Sequence, residues 1–265
     1  ATKSVSATVL GVAKGQGFVA SVNEHIFTYF SEYAHLSTPE KNQITIENLL
    51  NMRSSFSWNE MLLPYSDPDN DAILLRTVDD PLQHVLGKDL AGGPGTSFSY
   101  NSGNTILLGE IVKRATGLAL DVFCVDHLFI PLGIYDYEWN FLHNNIVFAS
   151  SDLKLRPRDM AKIGNLFCHW KENGIVPEAW IEESSKGTVA LPAVWGADAY
   201  GYQWWAQDYQ IGSQVISSFS ARGFGGQRIE VFPNLDMLVI LTGANYIQGG
   251  KDSDLLTSYI LPAAL

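Results

Sequence analysis

The stretch "FSYNSGNTILLGEIVKRATG" (residues 98–117) organises the reading of this chain. A Pro94-Gly95 turn leads through a short extended piece to Tyr100. A helix is then expected from about Asn104, because Ile106, Leu107, Leu108, Ile111 and Val112 recur on one helical face until Gly117 ends it. Tyr100 and Ser102 therefore stand just before a helix N-terminus. Taken alone, they read more readily as a core aromatic and an N-cap than as two reactive side chains presented by a helix start.

Upstream, "ATKSVSATVLGVAKGQG" (residues 1–17) places Val5, Val9 and Val12 on one helical face, which predicts a helix over 4–14 stopped by the glycines of "KGQG". In "TPEKNQITIENLLNM" Thr45 caps a helix with Glu47 in its first turn. Asn48 stands three residues after Thr45, where a capping box has Glu or Gln, so no full box is expected. "SSFSWNEMLLPYSDPDNDA" interleaves turn formers with aromatics and reads as a structured loop. Downstream, Pro131 and Gly133 break a helical segment at "LFIPLGIYD", and "RPRDMAKIGNLFCHWKENG" predicts a helix entered after Pro157, with Asp159 in its first turn, and closed at Asn173-Gly174. After residue 195 the pattern turns to alternation and β-branching in "GYQWWAQ", "VISSFSARGFGGQRIEVFP" and "LDMLVILTG", with "PNLD" as a hairpin turn. A final helix is expected from Ser253 to about Leu261, ahead of Pro262.

The composition suits a large core: 265 residues, 46% hydrophobic and 12% aromatic. Seventeen basic against 28 acidic residues leave a net charge of −11, which opposes nucleic acid and anionic membranes as partners. No apolar run of about 18 residues marks a membrane span. Cys124 and Cys168 lie in apolar settings and read as free buried thiols. The six histidines show no HExxH and no close pairing, so no metal site is expected. The compartment stays open between periplasm or exterior and cytoplasm.

"ATKSVSATVLGVA", "FSYNSGNTILLGEIVKRATG" and "ARGFGGQRIEVFP", with "ITIENLLNM", "WNE", "PYSDPDND", "FIPLGI", "RDMAKIG" and "YGYQWW" between them, follow one family order. The chain resembles the serine β-lactamase and penicillin-binding-protein superfamily in its class C-like branch, and within it the esterase and aminohexanoate-dimer hydrolase group. The resemblance implies an α/β fold: an antiparallel sheet flanked by terminal helices, with a helical lobe inserted (roughly 20–190), and a sheet and C-terminal helix over roughly 195–265, all one catalytic domain. It also implies that the family's opening strands are not among these residues.

The family's first motif is Ser-x-x-Lys, whose one-turn spacing puts the lysine on the face of the nucleophilic serine. Lys3 fits the lysine, and the serine is expected immediately before Ala1, on the same polypeptide or on a separate fragment. The second motif, Tyr-x-Asn or Tyr-x-Ser, matches Tyr100-Asn101-Ser102, implying that Tyr100 relays a proton and Ser102 hydrogen-bonds substrate or Lys3. The third, Lys-Thr-Gly, is replaced by Ala221-Arg222-Gly223, followed by Phe224 and Gly225. Gly223 and Gly225 would let substrate approach the backbone, and the Phe224 amide would line an oxyanion hole. Without the motif's lysine, β-lactam carboxylates lose their usual partner, and strand alternation points Arg222 away. Tyr65 matches an extra tyrosine of amide-cleaving relatives; Trp204 and Trp205 alternate on a strand, one towards the core and one towards the cleft, and Trp204 is taken as a wall of the pocket.

The reading is a hydrolase of a small ester or amide through an acyl-serine, with no metal or organic cofactor implied. Two alternatives stand: a D-amino-acid peptidase or weak β-lactamase, and a non-catalytic binding protein of the same fold. Ser151-Asp152-Leu153-Lys154 repeats the Ser-x-x-Lys spacing but lacks a long apolar face around it.

Overall fold

The computed structural model describes residues 1–169, 174–246 and 250–265. Eight helices position the site: α1 (Thr2–Gly15), α2 (Ile46–Leu50), α3 (Asp71–Leu74), α4 (Pro81–Leu86), α5 (Ser102–Thr116), α6 (Leu120–Cys124), α7 (Pro157–Cys168) and α8 (Glu178–Ser185). Two short strands, β1 (Tyr137–Glu138) and β2 (Lys154–Leu155), pair with each other. The main sheet is antiparallel throughout, in the order β3 (Val189–Ala190), β4 (Ala199–Gly201), β5 (Trp204–Ile211), β6 (Gln214–Gly223), β7 (Gln227–Phe232) and β8 (Met237–Leu241). Sequential antiparallel neighbours need only short turns, so Gly212 at φ +59° suffices between β5 and β6, and Pro233–Asp236 between β7 and β8. This is the antiparallel sheet with helices that the sequence pattern implies.

Helix α5 runs through the middle of the core. Every residue from Ser102 to Val112 is buried, so its apolar stripe is covered on all sides, and Gly117 closes it at φ +78°, in the left-handed region. Its N-cap is Asn101, whose Oδ1 accepts from the Asn104 amide at 3.2 Å, and the helix starts at Ser102, two residues earlier than the apolar pattern alone indicates. Helix α1 packs along it, buried from Ser4 to Ala13.

Four sequence expectations need correction. Thr45 does head a capping box: the Asn48 Oδ1 accepts from the Thr45 amide at 3.0 Å while Thr45 Oγ1 accepts from the Asn48 amide at 3.2 Å, an amide oxygen serving where Glu or Gln is usual. Helix α7 ends at Cys168, earlier than the Asn173-Gly174 stop; Asn173 lies outside the described residues. The C-terminal helical run, Lys251–Leu255, Leu256–Ile260 and Leu261–Ala264, continues through Pro262, because a wider turn in which Leu261 donates to Leu256 O precedes the residue that has no N–H. Of the two free thiols, Cys124 is buried and Cys168 only half-buried.

Helix α7 crosses β7 and β8 at Gly164, where a Cβ would come 2.4 Å from Leu238 Cδ1 and 2.8 Å from Ile229 Cγ2. Gly164→Ala is expected to cost about 1–3 kcal/mol through overpacking despite alanine's better helix propensity, measured by urea unfolding.

Candidate active site

The start of α1 abuts the end of β6. The Ala1 nitrogen lies 2.5 Å from the Arg222 carbonyl oxygen, and a Cβ on Gly223 would come 3.0 Å from that nitrogen, so glycine is what lets helix and strand meet. One cavity of about 750 Å³ opens at this junction. Lys3, Tyr65, Tyr100, Ser102, Gly223 and Phe224 all line it, although they come from four separate regions of the chain.

Lys3, on the first turn of α1, donates from Nζ to the Ser150 carbonyl at 3.2 Å and lies 4.8 Å from the centroid of the Tyr100 ring. Burial holds its pKa below the usual lysine value, opposed in part by the negative charge of Glu60. Tyr100 moves the other way: burial, and then Glu60, push its phenol up from the ordinary value. The same burial thus favours the neutral form of both side chains, the amine for Lys3 and the phenol for Tyr100.

Two other features hold Lys3 and Tyr100 in register. Gln203, at φ +68°, lies in the tight β4–β5 turn; its backbone N–H and Nε2 donate to Leu50 O and Leu49 O at 3.1 and 3.2 Å, its Oε1 accepts from Thr105 at 2.8 Å, and its carbonyl accepts from Ser4 Oγ at 2.7 Å. It ties α1, α2 and α5 to the sheet. Glu60 does the same for the loop: its carboxylate accepts from Trp58 Nε1 (2.9 Å), the Tyr65 hydroxyl (3.0 Å), the Ser102 amide (2.7 Å) and the Ser102 hydroxyl (2.8 Å), at 2% exposure. Asn70 pins the same loop by donating to Glu60 O and Leu63 O.

Several site expectations change in this light. The Ser102 hydroxyl is directed to Glu60 and makes no bond to Lys3, so Ser102 belongs to the support of the wall. Trp204 does not reach the cavity: it is 1% exposed and packs on Phe167 and Phe219, with ring centroids 4.3 and 5.7 Å away. Period-two alternation sends Trp205 to the opposite face, where it lies 5.7 Å from the Tyr100 ring and backs it without lining the cavity. Gly225 also lies off the cavity; at φ +88° it lets the Tyr246 ring approach to where a Cβ would be 2.6 Å away. Arg222 lines the cavity, but its guanidinium is engaged by Ser220 Oγ, the Gly196 carbonyl and Gln207 Oε1. Ser151 and Lys154 do not pair: the first donates to Asp152 and the second to Glu138.

Sequence reasoning missed Glu60, although it stands in the "WNE" that carries part of the resemblance. A single acid in a polar loop carries no signal of its burial; only the four converging donors reveal it. Replacing its charge tests its electrostatic part. In Glu60→Gln the favourable field on the Lys3 ammonium is removed, so Lys3 loses its proton at lower pH and the acid limb of kcat/KM moves to lower pH. A merely structural role leaves that limb in place. The buried donors left with a poorer acceptor also lower stability by about 1–3 kcal/mol.

Away from the cavity, Cys168, His169 and Asp236 bring donor atoms within 4.8 Å of one another, but His169 Nε2 and Cys168 Sγ already face Asp236 Oδ1, at 2.9 and 3.7 Å. Among the described residues, no helix is long and apolar enough to cross a membrane.

Residues 1–246 match the family model described as Beta-lactamase. The chain belongs to the β-lactamase family. Its β-lactamase-family sequence is 24% identical over 267 residues to the 6-aminohexanoate-dimer hydrolase of Paenarthrobacter ureafaciens, covering 90% of this chain and 63% of that relative. The chain thus spans less than two thirds of that curated protein's length. Its fold superposes with a TM-score of 0.80 on a Bacillus anthracis protein assigned as a 6-aminohexanoate-dimer hydrolase, at 21% identity over 99% of this chain and 70% of that one. A penicillin-binding protein from Bacillus halodurans matches at a TM-score of 0.71 and 16% identity, over 99% and 84% of the two chains. This β-lactamase-family chain therefore carries the family's fold, with Ala221-Arg222-Gly223 where the third motif reads Lys-Thr-Gly.

Proposed function

We propose that this chain supplies the proton-handling and substrate-binding parts of a serine hydrolase that cleaves an ester or amide through an acyl-serine intermediate. The observation that carries the reading is the meeting of the α1 start, Lys3, Tyr100 and the Gly223-Phe224 backbone around one cavity. We assign the nucleophilic serine to the position directly ahead of Ala1, because the Ala1 nitrogen lies beside the Arg222 carbonyl at the β6 end, on the first turn that carries Lys3.

In this mechanism the serine oxygen attacks the substrate carbonyl carbon as its proton passes to the uncharged Lys3 amine. The developing oxyanion faces the Phe224 amide. As the bond to the leaving group breaks, the Tyr100 hydroxyl protonates the departing oxygen or nitrogen and is reprotonated by the Lys3 ammonium. Water then attacks the acyl-serine, its proton taken up by the same pair, and the acid is released with serine restored. Arg222 is engaged with the protein and gives a β-lactam carboxylate no partner, which favours esterase or amidase chemistry over β-lactam hydrolysis.

The test is intact-mass analysis and peptide mapping of the full natural polypeptide quenched during turnover of a p-nitrophenyl ester. The expected result is a single acyl group on a serine immediately preceding Ala1. An acyl group on Ser151, or neither acylation nor turnover, overturns the reading.

A further inference from the structure

The charged side chains around the cavity are engaged by the protein itself. Asp152 accepts a fork from Arg76 at 2.8 and 2.9 Å, and further bonds from Asn140 at 3.1 Å and Ser151 at 2.8 Å. Arg76 presents both terminal nitrogens to Asp152 and lays its guanidinium 4.5 Å from the Phe148 ring centroid. Lys154 pairs with Glu138 at 2.7 Å, Glu60 holds four donors, and Arg222 donates to three protein oxygens. Among the described charged residues of the lining, Lys3 alone is left for chemistry, and its own environment disfavours its charge. A substrate ammonium or carboxylate would enter this space without a counter-charge, and desolvating an unpaired ion is costly. The net charge of −11 adds long-range repulsion of anions.

Part of the cavity lining is aromatic. The rings of Tyr65, Phe224 and Tyr246 follow one another at centroid distances of 5.4 and 5.3 Å, and remain 39%, 64% and 58% exposed. Tyr65 is fixed by its bond to Glu60, and Tyr246 is admitted by Gly225. Three exposed rings held in a row beside a reactive lysine form an apolar surface that a flat group can cover at little conformational cost.

We propose that the site selects uncharged esters or amides that carry an aromatic or similarly flat apolar group in their acyl part, seated on Tyr65, Phe224 and Tyr246. The inference rests on the hydrolase reading above and adds the substrate class to it.

The experiment compares kcat/KM, in the full natural polypeptide, for p-nitrophenyl acetate, p-nitrophenyl phenylacetate, and the phenylacetates with a 4-carboxylate or a 4-trimethylammonium group on the acyl ring. The expected order puts phenylacetate about tenfold or more above acetate and about 100-fold above each charged analogue. Phe224→Leu and Tyr246→Leu should each bring the phenylacetate-to-acetate ratio down towards one. Turnover of acetate with no gain for phenylacetate, or a charged analogue equal to the neutral one, overturns the inference and leaves the hydrolase reading standing. Absence of turnover of every ester overturns the hydrolase reading instead. In that case calorimetric binding of phenylacetamide against its 4-carboxylate and 4-trimethylammonium analogues decides the substrate class: tighter binding of the neutral amide supports it, and equal or weaker binding refutes it.

Discussion

Lys3→Met should lower kcat/KM for p-nitrophenyl ester hydrolysis by about 10³-fold, within the 10²–10⁴ range that a positioned acid–base group supplies. Methionine keeps the length and apolar contacts of the lysine stem, so α1 should still pack and the thermal midpoint should change little. The proton, however, has no acceptor. Tyr100 cannot replace the base, since burial and Glu60 hold its phenol protonated, and Glu60 accepts four hydrogen bonds from protein donors. The effect should fall on acylation, seen as loss of the covalent adduct as well as of turnover. A variant with more than about one tenth of the parent activity would remove Lys3 from the mechanism.

Glu230→Ala should destabilise the fold by about 3–5 kcal/mol, the range for stripping one partner from a buried ion pair. Glu230 is fully buried on β7, where it accepts from Ser218 Oγ at 2.6 Å, from Arg228 at 3.1 Å and from the Tyr209 hydroxyl at 3.2 Å. Arg228, also buried, reaches on to Asp252 at 2.7 Å and Ser253 at 3.3 Å, and so holds the C-terminal helical run against the sheet. Alanine leaves a buried guanidinium with only Asp252 as a counter-ion, and arginine cannot shed its charge. The double variant Arg228→Met/Glu230→Leu removes both charges and should recover most of the loss. Urea unfolding measures both; a loss under about 1 kcal/mol in the single variant would show that solvent reaches the pair.

Much of the fold was legible because periodicity is a local property. The apolar spacing in residues 104–116 and the alternation after residue 195 mark α5 and strands β5–β8 without knowledge of their partners. Where expectation failed, a nonlocal or fine-grained effect decided. Helices α1 and α5 each start two residues earlier than the apolar spacing marks, because that spacing does not report the first turn, where for α5 the Asn101 cap decides. Pro262 continues a helix because a wider turn upstream accommodates it.

The site shows the same division. Lys3 and Tyr100 were singled out through the family resemblance, and both line the cavity. Trp204 was misplaced because alternation says that Trp204 and Trp205 face opposite ways but not which face meets α7. Glu60 and Gln203 were invisible, because each works through partners that lie far from it along the chain.

By itself, the sequence determined the family, through the order of its motifs, and the antiparallel late strands, because each motif and each strand is a pattern of residues close together along the chain. Only the tertiary structure decided which groups share the cavity, that the Ser102 hydroxyl bonds Glu60, and that Arg76, Asp152 and Lys154 are held in ion pairs while Glu60 and Arg222 are held by neutral partners. Burial and charge pairing are set by what packs around a group, and that is a property of the whole fold.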